Sequence, residues 1–405
     1  MYDCRICGGV VAEFLDFGRQ PISDAFLPPH QAGETFTFHL VVGICGTCAM
    51  VQQRDEVPRE KMFHQEYPYR SSESAFMSRH FEGVARQLIA TELTAEDPFI
   101  VEIGSNDGVM LRTVGESGIR HLGVDPTGAA AAVAEKVGVR VRVDFFDEAL
   151  GAAILAEDGP ADVIFAANTF SHITYLDSIF CGIDKLLAEN GVFVFEERYL
   201  ADIIGNSAFD QVYDEHFYLF SVRSVQAMAC RFGFELVDVT HLPVHGGTLR
   251  YVVARPGKRR LAPSVAAFLE REAAAGLADL ETFRAFAARV RKIRADLMAL
   301  LHRLRDEGKT VVGYGATAKS ATVTSYCEIT SDLVAYTCDS TPAKQGLLMP
   351  GSRVPVRPPS AFAEPYPDYA LLFAWNHAEE IMSKEKGFHD SGGKWILYVP
   401  EVRVV

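Results

Sequence analysis

No stretch of this 405-residue chain approaches the roughly 20 consecutive apolar residues of a helical membrane span. No charged leading segment is followed by an apolar run, so no secretory signal is expected and the chain is assigned to the cytoplasm. Positive charge is scarce: 39 Lys plus Arg stand against 53 Asp plus Glu, a formal net charge of −14. That field repels nucleic acid and anionic membranes, and neither is expected as a partner. A small phosphorylated substrate stays admissible, because a pocket of Lys, Arg, His and backbone N–H groups outweighs the global field at short range. Eight cysteines are too few for a disulfide framework in a chain this long. There is no internal repeat, no low-complexity tract, no complete G-x-G-x-x-G and no P-loop spacing.

What is present divides into three blocks, as 405 residues and 48% hydrophobic content lead one to expect. Residues 1–60 are short, Cys-bearing and turn-rich. Residues 61–257 alternate strand-like runs with helical patterns: PFIVEIG (98–104), HLGVDP (121–126), VRVDFF (141–146), ADVIFAAN (161–168) and GVFVFEE (191–197). Such alternation implies a parallel sheet with crossover helices. FELVDVT (234–240) and TLRYVVA (248–254) suit an antiparallel pair that ends it. From about Leu261 to Glu307 the sequence reads as one or two long connecting helices, opened by Pro263. Residues 258–405 then carry a further α/β pattern: TVVGYGA (310–316), LVAYTCD (333–339), YALLFAWN (369–376) and WILYVP (395–400), with RVPVRPPS (353–360) read as a loop.

Cys4-x-x-Cys7 and Cys45-x-x-Cys48 are two-residue-spaced knuckles, each aiming two thiolates at one tetrahedral ion. Gly8, Gly9 and Gly46 supply permissive backbone. Four Cys leave no open coordination position, so the zinc is expected to be structural. The other four cysteines, Cys181, Cys230, Cys327 and Cys338, read as buried thiols.

VEIGSNDGVML (101–111) puts an acid and two glycines at the turn from the first strand of the middle block into a helix. Gly104 closes the turn and Gly108 lets the helix start approach a ligand. Asn106 stands where a dinucleotide fingerprint has its second glycine, which favours an uncharged adenosine over a pyrophosphate. Asp125 ends the next strand, placed for ribose hydroxyls. Asp144 and Phe145 end the third, for the adenine amine and face; Asn168 and His172 follow the fourth, at the carboxyl edge where open α/β sheets bind ligands. Together with Glu102 they form an ordered set typical of S-adenosylmethionine (SAM) sites.

SAFDQVYDEHFYLF (207–220) is crowded with proton-moving groups, including Tyr213, Asp214, Glu215 and His216. EYPYRSSES (66–74) adds Tyr67 and Tyr69, and HLPVHGGTLR (241–250) adds His245 and Arg250. GYGATAKS (313–320) is a glycine turn before a helix, with Lys319 in the first helical turn, a site that favours phosphate. Tyr314 and Asn376 join Lys319, His245 and Arg250 as candidate substrate contacts.

These stretches resemble the sugar C-methyltransferases of deoxysugar biosynthesis, which make 3-C-methyl and in some members 5-C-methyl sugars. The resemblance rests on CRICGG with CGTC, LDFGRQPISDAF (15–26), YPYRSSES, VEIGSNDG, FDQVYDEHFYLFS, LPVHGGTLR, VVGYGATAKS and CDSTPAKQG with PGSRVPV (338–356). It implies an N-terminal zinc-binding module, a Rossmann-like SAM domain and a C-terminal α/β domain that helps hold a nucleotide-sugar. It also implies His216 as base, with Glu215, Tyr213, His172 and Tyr67 in the active site and Tyr69 beside the cofactor. The chain departs from the family pattern at Asp214 and at EERYL (196–200), which replaces a more apolar, Pro-bearing stretch. The implied reaction is methylation of the carbon next to the ketone of a nucleotide-linked 4-keto-deoxysugar, with dTDP as carrier, by a monomer. The competing classes are an NAD(P)-linked sugar oxidoreductase, which calls for a fuller glycine fingerprint, and a zinc-ribbon adaptor, which calls for a basic face.

Overall fold

The computed structural model describes residues 1–31, 33, 35–63, 70–363 and 365–405. The Val/Ile/Phe-rich runs of the middle block are buried on both faces, as strands covered by helices must be. They form a seven-stranded sheet in the order Glu235–Leu242, Thr248–Ala254, Leu187–Arg198, Ala161–Ala167, Phe99–Ile103, Arg120–Val124, Val141–Arg142. The first two strands pair antiparallel and the other five are mutually parallel. Chain order reverses at Phe99–Ile103, so the carboxyl ends of that strand and Ala161–Ala167 open a crevice, the usual ligand position in such sheets.

The first sheet is antiparallel and consists of Tyr2–Asp3, Val10–Pro21, Thr37–Cys45 and Val51–Gln53, plus Tyr218–Leu219 from far along the chain. The first 60 residues therefore do not close their own sheet. Gln53 Nε2 donates to the carbonyls of Tyr213 and His216, 2.6 and 2.8 Å away, which anchors the FDQVYDEHFYLF segment to the Cys-bearing block.

Pro263–Ala274 starts with its proline at the first helical turn, and Leu280–Asp306 follows. The longer helix is more than a connector. Its apolar stripe, Phe283, Phe286, Val290, Ile293, Leu297 and Leu301, lies in one core with Phe14, Leu40 and Val42 of the first sheet and Val311, Leu371 and Ile396 of the last. That last sheet runs Val356–Arg357, Thr337–Cys338, Val311–Tyr314, Tyr369–Leu372, Lys394–Leu397, Arg403–Val404, parallel except at its final pair.

Two expectations are corrected. Val356–Arg357, inside the stretch read as a loop, is a short strand beside Thr337–Cys338; two residues are too few to show a period. Cys181 and Cys230 are exposed, because they lie on the outer faces of helices that bury Ile179, Phe180 and Ile183 and Val222, Val225 and Met228 instead. No helix among the described residues is long and apolar enough to cross a membrane.

Candidate functional site

The two Cys knuckles are near copies of each other. Gly8 N donates to Cys4 O and Ala49 N to Cys45 O, while Ile6 N and Thr47 N each reach a cysteine sulfur at 3.4 Å. Gly8 (φ +69°) supplies the left-handed residue after the first pair, and in the second that place is taken by Ala49 (φ +59°). Gly46, read as permissive backbone, is not at positive φ; Gly9 is needed for close approach, since a Cβ there would lie 2.5 Å from Thr47 Oγ1. The sulfurs of Cys4, Cys7, Cys45 and Cys48 all lie within 4.8 Å of one another, with Cys4–Cys48 at 3.6 Å and Cys7–Cys45 at 3.5 Å. Tetrahedral zinc at about 2.3 Å from each sulfur requires S···S separations of about 3.8 Å, so the quartet fits that ion.

Residues at the strand ends of the middle and last sheets, with Asp24, Arg59 and Phe63 from the Cys-bearing block, line one cavity of about 570 Å³. On the middle-sheet side, Gly104 (φ +74°) has no room for a Cβ, which would clash with Thr169 Oγ1, so the loops after the first and fourth parallel strands touch. Asn106 N donates to Asp125 Oδ2 and Thr127 N to Asp125 Oδ1, both at 2.8 Å. Asn106 Oδ1 accepts from Ser71 N, and Asp107 Oδ2 from Ser72 N and its hydroxyl, which ties the segment before the sheet to the glycine loop. Gly104, Asn106, Asp125, Asp144, Phe145 and Asn168 all line the cavity. Arg59 stacks 4.2 Å over the Phe145 ring and 4.5 Å over Tyr175, a roof from the Cys-bearing block that nothing in the sequence flagged.

Other candidates lie elsewhere. Gly108 (φ +77°) packs on Ala134 and Val139. Glu102 is buried in the strand beneath the loop, where burial raises its carboxyl well above the usual range. The Arg250 guanidinium is taken by Glu196, at 2.6 Å, and by Gln87. Tyr67 and Tyr69 lie outside the described residues.

Between the two halves of the cavity stand the proton-moving groups. His172 lines it, with its ring stacked on Phe63 and, 5.4 Å between centroids, on His216. Tyr213 and Glu215 line it too, and the Tyr213 ring lies 4.0 Å from that of His216. His216 is immediately behind the wall. Its Nδ1 bonds Gln211 O at 2.6 Å and its Nε2 is 2.8 Å from Arg198 NH1. A carbonyl only accepts, so Nδ1 carries the proton and Nε2 the lone pair. Burial holds both imidazoles neutral: it drives His216 well below its ordinary range and His172 to about 3, and the Arg198 charge acts the same way. Arg198, at a strand's carboxyl edge, is the cavity residue that position alone could have picked out.

On the far side, Lys319 Nζ donates to Asn376 Oδ1 at 2.6 Å and sits 4.6 Å over the Trp375 ring. Trp375 Nε1 and Tyr398 OH both donate to the buried Asp210 at 2.6 Å, which locks the last sheet onto the middle block. Burial lowers Lys319 to about 8, against the opposing pull of Asp210. Tyr314 and His245 also line the cavity, and Tyr314 OH donates to Glu385 at 2.7 Å.

Family models match a zinc-binding domain over residues 4–63, a methyltransferase domain over 77–239 and a C-methyltransferase C-terminal domain over 243–400. The C-methyltransferase NovU of Streptomyces niveus is 33% identical over 409 residues, spanning 100% of this chain and 96% of the relative. Among solved structures, a SAM-dependent methyltransferase from Anabaena variabilis is 18% identical, covers 43% of this chain and 84% of its own, and gives a TM-score of 0.34. The magnesium protoporphyrin IX methyltransferase of Synechocystis, with bound SAM, is 10% identical, covers 44% and 79%, and gives 0.32. TM-scores of that size carry no weight. The full-length identity and the three domain matches do: the chain belongs to the C-methyltransferases and is a SAM-dependent enzyme with an N-terminal zinc-binding domain.

Proposed function

We propose that the chain moves the methyl group of SAM to C-3′, beside the ketone of a dTDP-linked 4-keto-deoxysugar, acting as a cytoplasmic monomer. One observation carries this reading: a single cavity is lined by Asp125, Asp144, Phe145 and Asn168 of the middle block, by Lys319, Tyr314 and Asn376 of the last, and by His172 and His245, with His216 stacked behind His172. The first edge fits SAM, with carboxylates for ribose hydroxyls and amine, an aromatic face for the adenine, and a charge balance that favours a sulfonium. SAM supplies an electrophilic methyl when bound. The second edge fits a nucleotide diphosphate through the Lys319 charge and the start of the helix Ala318–Tyr326.

In this reading the ketone acidifies the neighbouring C–H, and a neutral imidazole removes that proton. His216 is the proposed base: its Nδ1–H is committed to Gln211 O, so Nε2 is the accepting nitrogen. Tyr213 and Glu215 flank it. His172 is the second choice, favoured by its position on the cavity wall and by an Nε2 with no partner among the described residues. The zinc has no part in proton removal; its four ligands would be Cys4, Cys7, Cys45 and Cys48.

Incubation with SAM and dTDP-4-keto-6-deoxyglucose, followed by mass spectrometry, tests the reading. A product heavier by one methylene supports it, and no transfer to this or to other nucleotide 4-ketosugars would sink it. His172→Asn retaining transfer while His216→Asn abolishes it selects His216; the reverse selects His172.

A further inference from the structure

Arg198 and Arg250 both project from neighbouring strands of the middle sheet, and their surroundings differ in charge. Arg250 is neutralised by Glu196 at 2.6 Å. Arg198 ends its strand at the cavity, and among the described residues its hydrogen-bond acceptors are neutral: His216 Nε2 at 2.8 Å and Asn168 Oδ1 at 3.4 Å. Among the described residues its Nε is buried with no partner. Three neutral imidazoles, those of His172, His216 and His245, feel its charge, as does the buried Glu197, which burial raises to about 7 and which accepts from Ser171 N; among the described residues the Nε2 atoms of His172 and His245 are likewise buried without partners. A partly buried cation in such company is set to meet negative charge, because desolvated charges are costly until paired.

The proposed reaction creates negative charge at one atom. When the C–H bond next to the ketone breaks, the proton goes to the base and its electron pair forms a C=C bond. The C=O π pair then moves onto the oxygen. The carbon losing the proton and the carbon bearing the oxygen are bonded, so the base nitrogen and the donor that meets the oxygen must be neighbours. His216 Nε2 and Arg198 NH1 are.

We propose that Arg198 is a catalytic residue, the guanidinium that receives the acceptor's ketone oxygen and holds the charge of its enolate. The assignment rests on the enolate reading above. It also couples binding to chemistry. Before the acceptor arrives, Arg198 masks the lone pair of Nε2; as the ketone oxygen takes over its N–H, the base is uncovered. The enolate carbon then bonds to the SAM methyl carbon as the C–S bond breaks, with the electron pair leaving on sulfur, and the carbonyl re-forms.

The test is hydrogen exchange in D₂O at the carbons flanking the ketone of dTDP-4-keto-6-deoxyglucose, with S-adenosylhomocysteine filling the cofactor side, for wild type, Arg198→Met and Arg198→Lys. Wild type is expected to exchange and Arg198→Met to be slower by about 100-fold or more, the scale for one oxyanion donor. Arg198→Lys should recover part of the rate, and SAM affinity by calorimetry should stay within about twofold of wild type, as expected of a folded variant that has lost transition-state stabilisation alone. Exchange by Arg198→Met at the wild-type rate, or loss of exchange only in step with SAM binding, overturns the assignment. No exchange by wild type overturns the enolate reading itself.

Discussion

The glycine turns of the middle and last sheets are built alike and serve different neighbours. In one, Gly104 (φ +74°) precedes a loop whose Asn106 N donates to Asp125 Oδ2, and Thr127 N donates to Asp125 Oδ1. In the other, Gly315 (φ +87°) precedes a loop whose Ala316 N donates to Asp339 Oδ2 at 2.7 Å, and Thr341 N donates to Asp339 Oδ1 at 2.8 Å. Each aspartate at a second strand end thus latches the loop after the first strand. What differs is the side-chain company. The first turn sits over the buried acid Glu102 and beside Phe145 under Arg59; the second has Lys319 over Trp375 in its helix. On the proposed reading, the same strand–turn–helix backbone offers a place for either nucleotide, and the charge around it selects which one.

The largest expected effect comes from the residue that belongs to neither turn. His216→Asn should lower kcat by about 10²–10⁴, the range for a general base, with SAM and nucleotide-sugar still bound. Calorimetry beside steady-state kinetics checks this, and loss of either ligand would mean that His216 organises a turn instead. Next, Asp125→Ala should weaken SAM by about 1–3 kcal/mol, while Asp339→Ala leaves SAM affinity unchanged and raises KM for the nucleotide-sugar. If Asp339→Ala weakens SAM as much, the turns do not divide the ligands.

Lys319→Ala is smaller, a rise in nucleotide-sugar KM of up to about tenfold, the scale of one charge at a helix start. Because Lys319 is lowered to about 8, it is charged below that pH and loses its charge above it. KM should therefore climb as pH passes 8, and Lys319→Arg should remove the climb; a flat wild-type profile breaks the assignment. The smallest effect concerns stability. Burial, helped by Asp24 and opposed by the Ser23 N–H, raises Asp214 to about 7, and burial raises Glu197 to about 7. An acid with a raised folded pKa stabilises the fold below its unfolded value, and that contribution is lost as pH rises through 7. Tm should decline between about pH 4 and 7 and level off above, and Asp214→Asn, whose acid is shifted further, should flatten more of the decline than Glu197→Gln.

Much was legible from local pattern. The two CxxC knuckles, the strands flanking VEIGSNDG, the antiparallel closing pair and the Pro263 helix start are each set by residues near in sequence, through turn chemistry, apolar runs and capping. The strand-end rule also found Asp125, Asn168 and His172, because in an open parallel sheet the carboxyl edge is the crevice. Tertiary structure decided the rest. That Tyr218–Leu219 completes the first sheet, that the stripe from Phe283 to Leu301 builds one core with the first and last sheets, and that Arg250 is spent on Glu196 while Arg198 meets His216 all depend on contacts between residues distant in the chain. An isolated sequence tells which groups a segment offers; only packing decides which of them are paired and buried and which face the ligand.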